Sequence, residues 1–222
     1  MGLDMYIDKV KKVGNLTLEE IKDIYSYIDW KKNWSQDSYS FESWCGKDEN
    51  KIKKEYEDDV RKLVHIQKHP AWAWGDYENK YESITDNVAY WRKANQIHNW
   101  FVESVQNGID DCSDYLLTKE DVEELLHTTK LVLDSCELID GKVANGYHFV
   151  NGKEEPILED GKVIVDANVA EELLPSKNGF FFGGTDYDQW YYEDLVSTVK
   201  QLEKILEETD FDKEFLFYHS SW

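Results

Sequence analysis

The spacing of apolar residues changes period early in this chain, and that change restricts the class of fold open to it. Leu3, Met5 and Ile7 alternate with Asp4, Tyr6 and Asp8, the two-residue period of a strand with one buried face. Soon afterwards Thr17 and Glu20 form a capping box, and Ile21, Ile24, Tyr25 and Ile28 follow at helical spacing, which predicts a helix over 18–32. A chain that uses both periods buries a sheet face against helices. The expected architecture is α+β, three to four long helices packed on a small mixed β-sheet.

The rest of the chain fits that frame as one domain over 1–222. Thr118 caps a helix with Val122, Leu125, Leu126, Thr129, Val132 and Leu133 on its buried side. A last helix over 190–207 turns Leu195, Val199, Leu202 and Leu206 inward, and 51–66 reads as a further helix ended by Pro70. Residues 33–50 read as a loop pinned by Trp34, Phe41 and Trp44, and 71–86 as irregular chain or a short strand. Between 137 and 177 the turn signals Asn151-Gly152 and Asp160-Gly161 flank short strands at 147–150 and 162–166, which predicts a β-hairpin insertion or lid. Phe180 to Phe182 read as one buried strand, and the tail 214–218 as a return to the sheet.

Charge narrows the function classes. Forty-six acidic residues against 25 basic ones give a net charge of −21, a field that repels phosphate backbones and disfavours ordinary nucleic-acid binding. Such a surface also admits the opposite role, an acidic decoy that imitates DNA. With 222 residues the chain can bury about 70% of its unfolded surface, and 14% aromatic content marks it as folded. Cys45, Cys112 and Cys136 are widely spaced with no CxxC pair, pointing to a reducing, cytoplasmic setting with neither disulfide framework nor thiolate metal site. Neither a signal peptide nor a run of apolar residues long enough to span a membrane is expected.

The segment from Tyr90 to Val102, YWRKANQIHNWFV, concentrates chemistry. Read as one helix, it sets Tyr90, Ala94, Ile97, Phe101 and Val105 on an apolar arc, with Trp91 at its edge and Arg92, Asn95 and His98 at spacings of three, able to face one cleft. The competing reading makes His98 a satisfied core histidine, Asn95 a backbone partner and Arg92 a surface ion pair. Against it stands the sparing use of arginine: Arg61 and Arg92 are the only two, and a planar guanidinium suits phosphate or carboxylate better than an ammonium. Arg92 is therefore the first candidate ligand contact.

A second candidate is the stretch 179–188, GFFFGGTDYD, where Gly183 and Gly184 allow close backbone approach and Thr185, Asp186 and Tyr187 bring hydroxyls and a carboxylate to a helix start. The plainer reading is a turn with Thr185 or Asp186 as N-cap. Asp4 and Tyr6, on the polar side of the first strand, complete the candidate set. His65 and His69 stand four apart, a spacing two metal ligands can use, yet no third ligand accompanies them and no metal is assigned. No nucleophile, kinase or Walker pattern is legible, so no catalytic residue and no cofactor is assigned.

MGLDMY at 1–6, the 90–102 segment, GIDDC at 108–112 and GFFFGGTDYDQWYYEDL at 179–195 together resemble a family of small phage, prophage and bacterial proteins. The resemblance covers both ends and the middle of the chain. It implies a phage or mobile-element setting and brings no catalytic residues with it. Joined to the aromatic, arginine-bearing motif, it leads to the expectation of a small-molecule-binding protein, a sponge for a nucleotide second messenger of host immunity, with base stacking on Trp91 or Tyr187 and phosphates on Arg92. Two rivals stand beside it: a nucleotide hydrolase or lyase using His98 as base, and an acidic interaction protein that mimics DNA or caps a host enzyme. A homo-oligomer is compatible with each.

Overall fold

The computed structural model describes residues 2–35, 40–68, 80–150, 153–179 and 182–222, and shows an α+β protein. In chain order its elements are β1 (Asp4–Lys11), α1 (Leu18–Asn33), α2 (Phe41–Cys45), α3 (Glu57–Arg61), β2 (His65–Lys68), β3 (Lys80–Ser83), β4 (Asp86–Arg92), α4 (Asn95–Ser104), β5 (Tyr115–Leu117), α5 (Lys119–Ser135), β6 (Leu138–Val150), β7 (Lys153–Ile164), α6 (Asn168–Leu173), α7 (Gln189–Glu208) and β8 (Glu214–Ser221). Instead of one small mixed sheet there are three, a four-stranded sheet in the order β4-β1-β8-β5 and the pairs β2-β3 and β6-β7. The pairs β5-β8, β2-β3 and β6-β7 are antiparallel. Where the sequence reads as one domain, contacts divide the chain into two compact units, 1–8 with 87–211 and 216–222, and 9–86 with 212–215.

The smaller unit holds α1, α2, α3 and the β2-β3 pair. The capping box forms as its residue types require: Glu20 N donates to Thr17 Oγ1 at 3.2 Å and Thr17 N to Glu20 Oε2 at 3.0 Å. Ile21, Ile24 and Ile28 are buried with Phe41, whose ring meets Tyr27 and Trp30 edge-on. Helix α2 grows from the segment read as a loop because Ser40 caps it and Phe41 anchors it. The helix expected over 51–66 shrinks to α3, and His65 lies in strand β2 opposite Ser83, so the one-turn spacing proposed for two imidazoles does not exist on that side. His69 and Pro70 lie outside the described residues. Among those described, no group of three or more His, Cys, Asp or Glu is arranged to hold a metal ion.

The larger unit is built around Leu3, Met5 and Ile7, each fully buried, with Ala89 and Trp91 from β4 and Leu216 and Tyr218 from β8. Helices α5 and α7 pack on one another, bringing Leu125, Val132, Leu195 and Leu202 to the same core. Thr118 and Asp121 make a second capping box at the start of α5. Strands β6 and β7 run antiparallel from Leu138 opposite Ile164 to Val150 opposite Lys153. The Asp160-Gly161 turn signal is overturned: Gly161 sits inside β7 opposite Gly141, where a Cβ would come within 2.6 Å of Val143 Cγ2 and 2.9 Å of Gln189 Oε1. That glycine provides space, not a bend. Asn151-Gly152 lies outside the described residues, as do Phe180 and Phe181, and Phe182 is buried outside any strand. No helix of the described residues is long and apolar enough to cross a membrane.

The segment 90–102 is the main correction in this unit. Residues 86–92 form strand β4, with Ala89 and Trp91 buried and Val88 and Tyr90 half-buried on the other side, and α4 starts only at Asn95. Between them Lys93 adopts a left-handed backbone, φ 63°, which no run of helix tolerates. Arg92, Asn95 and His98 therefore do not share a helix face.

Candidate functional site

Helix α4 is buried almost all round, so every polar side chain on it needs a partner inside the protein. Asn95, 1% exposed, donates through Nδ2 to the carbonyls of Gly184 at 2.8 Å and Phe182 at 3.3 Å, and its Oδ1 accepts from Lys177 N at 2.8 Å. It ties the backbone at Lys177, Phe182 and Gly184 to the start of α4 and leaves no group for a ligand. His98, also 1% exposed, shares Nδ1 with the Tyr218 hydroxyl at 2.7 Å and Nε2 with Asp110 Oδ1 at 3.1 Å. Trp91 is 3% exposed and donates Nε1–H to Thr198 Oγ1 at 2.8 Å. For these three the reading as ligand contacts is overturned, and with it both His98 as an accessible base and Trp91 as a stacking surface.

The loop that Asn95 holds meets the β4–α4 turn at Gly183. Gly183 has φ 99°, and a Cβ there would lie 3.0 Å from Lys93 Cβ and 3.1 Å from Lys93 O. Gly183 takes this conformation without strain, whereas Lys93 beside it carries the cost of a left-handed side chain, of the kind found where a binding surface is held in one shape. The contact turns Arg92, Lys93, Gly183, Gly184 and Asp186 toward one cleft of about 540 Å³, within the usual size of a small-molecule site. A register irregularity between Ala144 and Tyr147 leaves Asn145 and Gly146 outside the β6-β7 ladder, and both join the same cleft.

Helix α7 supplies the remaining wall with Trp190, Tyr191, Glu193 and Asp194, and Asp188 caps it. Asp188 Oδ1 accepts from Trp190 N at 2.8 Å and from Tyr191 N at 3.3 Å, so the amides at this helix start are engaged by the protein's own carboxylate. The Trp190 indole is 45% exposed. Arg92 and Lys93 make no ion pair among the described residues, whereas the other arginine, Arg61, reaches Glu57 at 2.6 Å. Asp194 is half-buried at the cleft wall, where Gln96 Nε2 donates to its Oδ2 at 3.1 Å. Burial pushes the Asp194 carboxyl up to about 7, opposed by Gln96 and reinforced by Glu193 and Asp188. Burial also raises Asp188.

Of the sequence candidates, Arg92, Gly183, Gly184 and Asp186 line this cleft. Thr185 is exposed outside its lining, and Tyr187 is half-buried, its hydroxyl accepting from Ser176 N at 3.2 Å and its ring edge-on to Tyr191. Asp4 and Tyr6 lie elsewhere: Tyr90 donates to Asp4 at 2.6 Å, and the Tyr6 ring stacks on His219. Burial, with Asp4 and Asp8 alongside, lifts the Tyr6 hydroxyl to about 12 against the opposing charge of Arg92, which also acts on Tyr90. Sequence reasoning missed Lys93, Gln96, Asn145, Trp190 and Asp194. A signal was present for two of them, since Trp190 and Asp194 stand four apart on the first turns of a helix whose start was legible. A larger but more open trough, about 950 Å³, lies along β6, β7 and the start of α7, where Lys142 and Asp160 pair across the strands at 2.7 Å.

No protein-family model and no solved structure matches this chain, so its chemistry is read from its own geometry.

Proposed function

We propose that this protein is a small-molecule receptor that holds a nucleotide-type ligand in the cleft bounded by the β4–α4 turn, the 183–188 loop and the start of α7. The observation that carries the reading is that Arg92 and Lys93 line one cleft without forming an ion pair among the described residues, in a chain with 46 acidic residues. Cations left unpaired in so acidic a molecule are suited to an anion that comes from outside. Trp190 gives a base an accessible indole to stack on, in place of Trp91. Gly184, with open space where a Cβ would stand, lets a phosphate approach the loop without meeting a side chain. In the phage or mobile-element setting that the sequence resemblance implies, such a receptor would sequester a nucleotide immune signal in the host bacterial cytoplasm.

Calorimetry and tryptophan fluorescence with a panel of cyclic nucleotides, cyclic dinucleotides and ADP-ribose test this reading. Saturable binding is expected, weakened about tenfold or more by Arg92→Ala, the loss of one charge-assisted contact. No saturable binding anywhere in the panel would sink it. Chromatography of the incubated nucleotides separates a receptor from a hydrolase or lyase. Retained biological activity in Arg92→Ala, together with loss on neutralising surface carboxylates, would favour the acidic-mimic reading.

A further inference from the structure

The cleft poses an electrostatic problem. Arg92 and Lys93 face Asp186, Asp188, Glu193 and Asp194, so four carboxylates oppose two cations where an anionic ligand is to sit. Asp188 is engaged with the first amides of α7. Asp194 is half-buried beside α4, where Gln96, 2% exposed, fixes one of its oxygens. Its other oxygen receives no hydrogen bond among the described residues, and none of them makes an ion pair with it.

We propose that Asp194 is the specificity-determining residue of this cleft, presenting its carboxyl O–H as a hydrogen-bond donor to an acceptor atom on the base or sugar of an anionic nucleotide. The inference rests on the nucleotide reading above. A carboxyl that keeps its proton removes one negative charge from the wall and adds a donor that an ionised Asp lacks. Its environment favours that state. The group is desolvated, and the charges of Glu193 on α7 and of Asp188, the cap of α7, oppose its ionisation; Asp186 lines the same cleft from the preceding loop. Opposing them is Gln96 from α4; the cations of the same cleft are Arg92 and Lys93 from the β4–α4 turn, and Asn145 from β6 is neutral. The ligand class follows: a nucleotide with its phosphate toward Arg92 and Lys93 and an unprotonated ring nitrogen, carbonyl or hydroxyl oxygen toward α7.

The test uses 3′,5′-cyclic AMP, cyclic GMP and ADP-ribose, whose phosphodiester and pyrophosphate groups keep a constant charge between pH 6 and pH 8.5. Titrated by calorimetry, the full-length protein should lose about tenfold or more of its affinity for the best of them over that range, because each complex retains a proton that the free site gives up. Asp194→Asn, which keeps a donor and cannot ionise, should bind with an affinity independent of pH and tighter than the unmodified protein at pH 8.5. Circular dichroism at both pH values checks that the variant is folded. Binding that is equally tight at both pH values in the unmodified protein, or a folded Asp194→Asn variant that keeps the pH dependence or fails to bind at pH 6, would overturn this inference and leave the receptor reading standing. If neither these three nor the cyclic dinucleotides of the wider panel bind at pH 6, the receptor reading falls and the role of Asp194 falls with it.

Discussion

Gly183 carries the most local information of any position in the cleft. A methyl at Gly183→Ala would meet Lys93 Cβ at 3.0 Å and Lys93 O at 3.1 Å, on a backbone already at φ 99°. Either the 183–184 loop or the Lys93 turn must shift, and we expect a loss of about 1–3 kcal/mol in a urea titration, with weaker nucleotide binding alongside. Asn95 is the loop's internal brace. Asn95→Leu removes three hydrogen bonds and strands the Lys177 N–H and the Phe182 and Gly184 carbonyls, which should cost about 3 kcal/mol in a urea titration. An unchanged urea midpoint would mean that the loop is held by something else. His98 adds a pH signature. Burial lowers its imidazole despite the pull of Asp110, so the unfolded chain takes up a proton near 6.5 that the folded one resists. Stability from this group is therefore complete above 6.5 and is lost as pH falls through its lower folded value. Asp194 acts with the opposite sign, since its raised carboxyl contributes most below the ordinary carboxylate range and loses that contribution as pH rises through about 7. Comparing the unmodified protein with His98→Gln at pH 7.5 and pH 5.5 isolates the imidazole: the variant should lose less stability on acidification. A steeper loss in the variant would contradict the assignment.

At the scale of elements, the decisive feature is the break between β4 and α4. Tyr90, Ala94, Ile97, Phe101 and Val105 keep helical spacing through it, which is why 90–102 reads as one helix, yet of these only Ile97 and Phe101 belong to α4, with Val105 as its C-cap. Ala89 and Trp91 alternate with Val88 and Tyr90 just as well at a period of two, and pairing in the β4-β1-β8-β5 sheet resolves the ambiguity. Lys93 bears the local cost of the break, about 1 kcal/mol for a side chain in the left-handed region. Lys93→Gly should therefore hold or slightly raise the thermal midpoint while weakening nucleotide binding through loss of the ammonium. A variant both less stable and unchanged in binding would show that Lys93 serves the fold alone.

For the whole molecule, the net charge of −21 is a standing repulsion that packing must overcome. Raising salt from about 0.01 M to about 0.15 M shortens the screening length from roughly 30 Å to roughly 8 Å. The midpoint of thermal unfolding should rise across that interval, whereas a fall would mean that the ion pairs around Lys9, Lys31 and Lys47 outweigh the repulsion. The same field bears on the cleft. An anion approaches this surface against the mean potential, so binding through Arg92 and Lys93 should strengthen with added salt up to the point where their own contacts are screened.

Local chemistry alone determined the strand at Leu3–Ile7, the capped helices α1 and α5 and the run of α7, because each carries its own period and its own cap within a few residues. It also singled out Arg92 and the Gly183-Gly184 pair, since a rare guanidinium and a double glycine are informative wherever the chain takes them. What needed the tertiary structure was the company those residues keep. Asn95 and His98 turned inward because α4 is surrounded on nearly every side, and Asp194 joined Arg92 across about a hundred residues because α7 packs beside α4. Burial and long-range neighbours decide whether a polar side chain braces the fold or faces a ligand, and neither property is encoded in the spacing of residues along the chain.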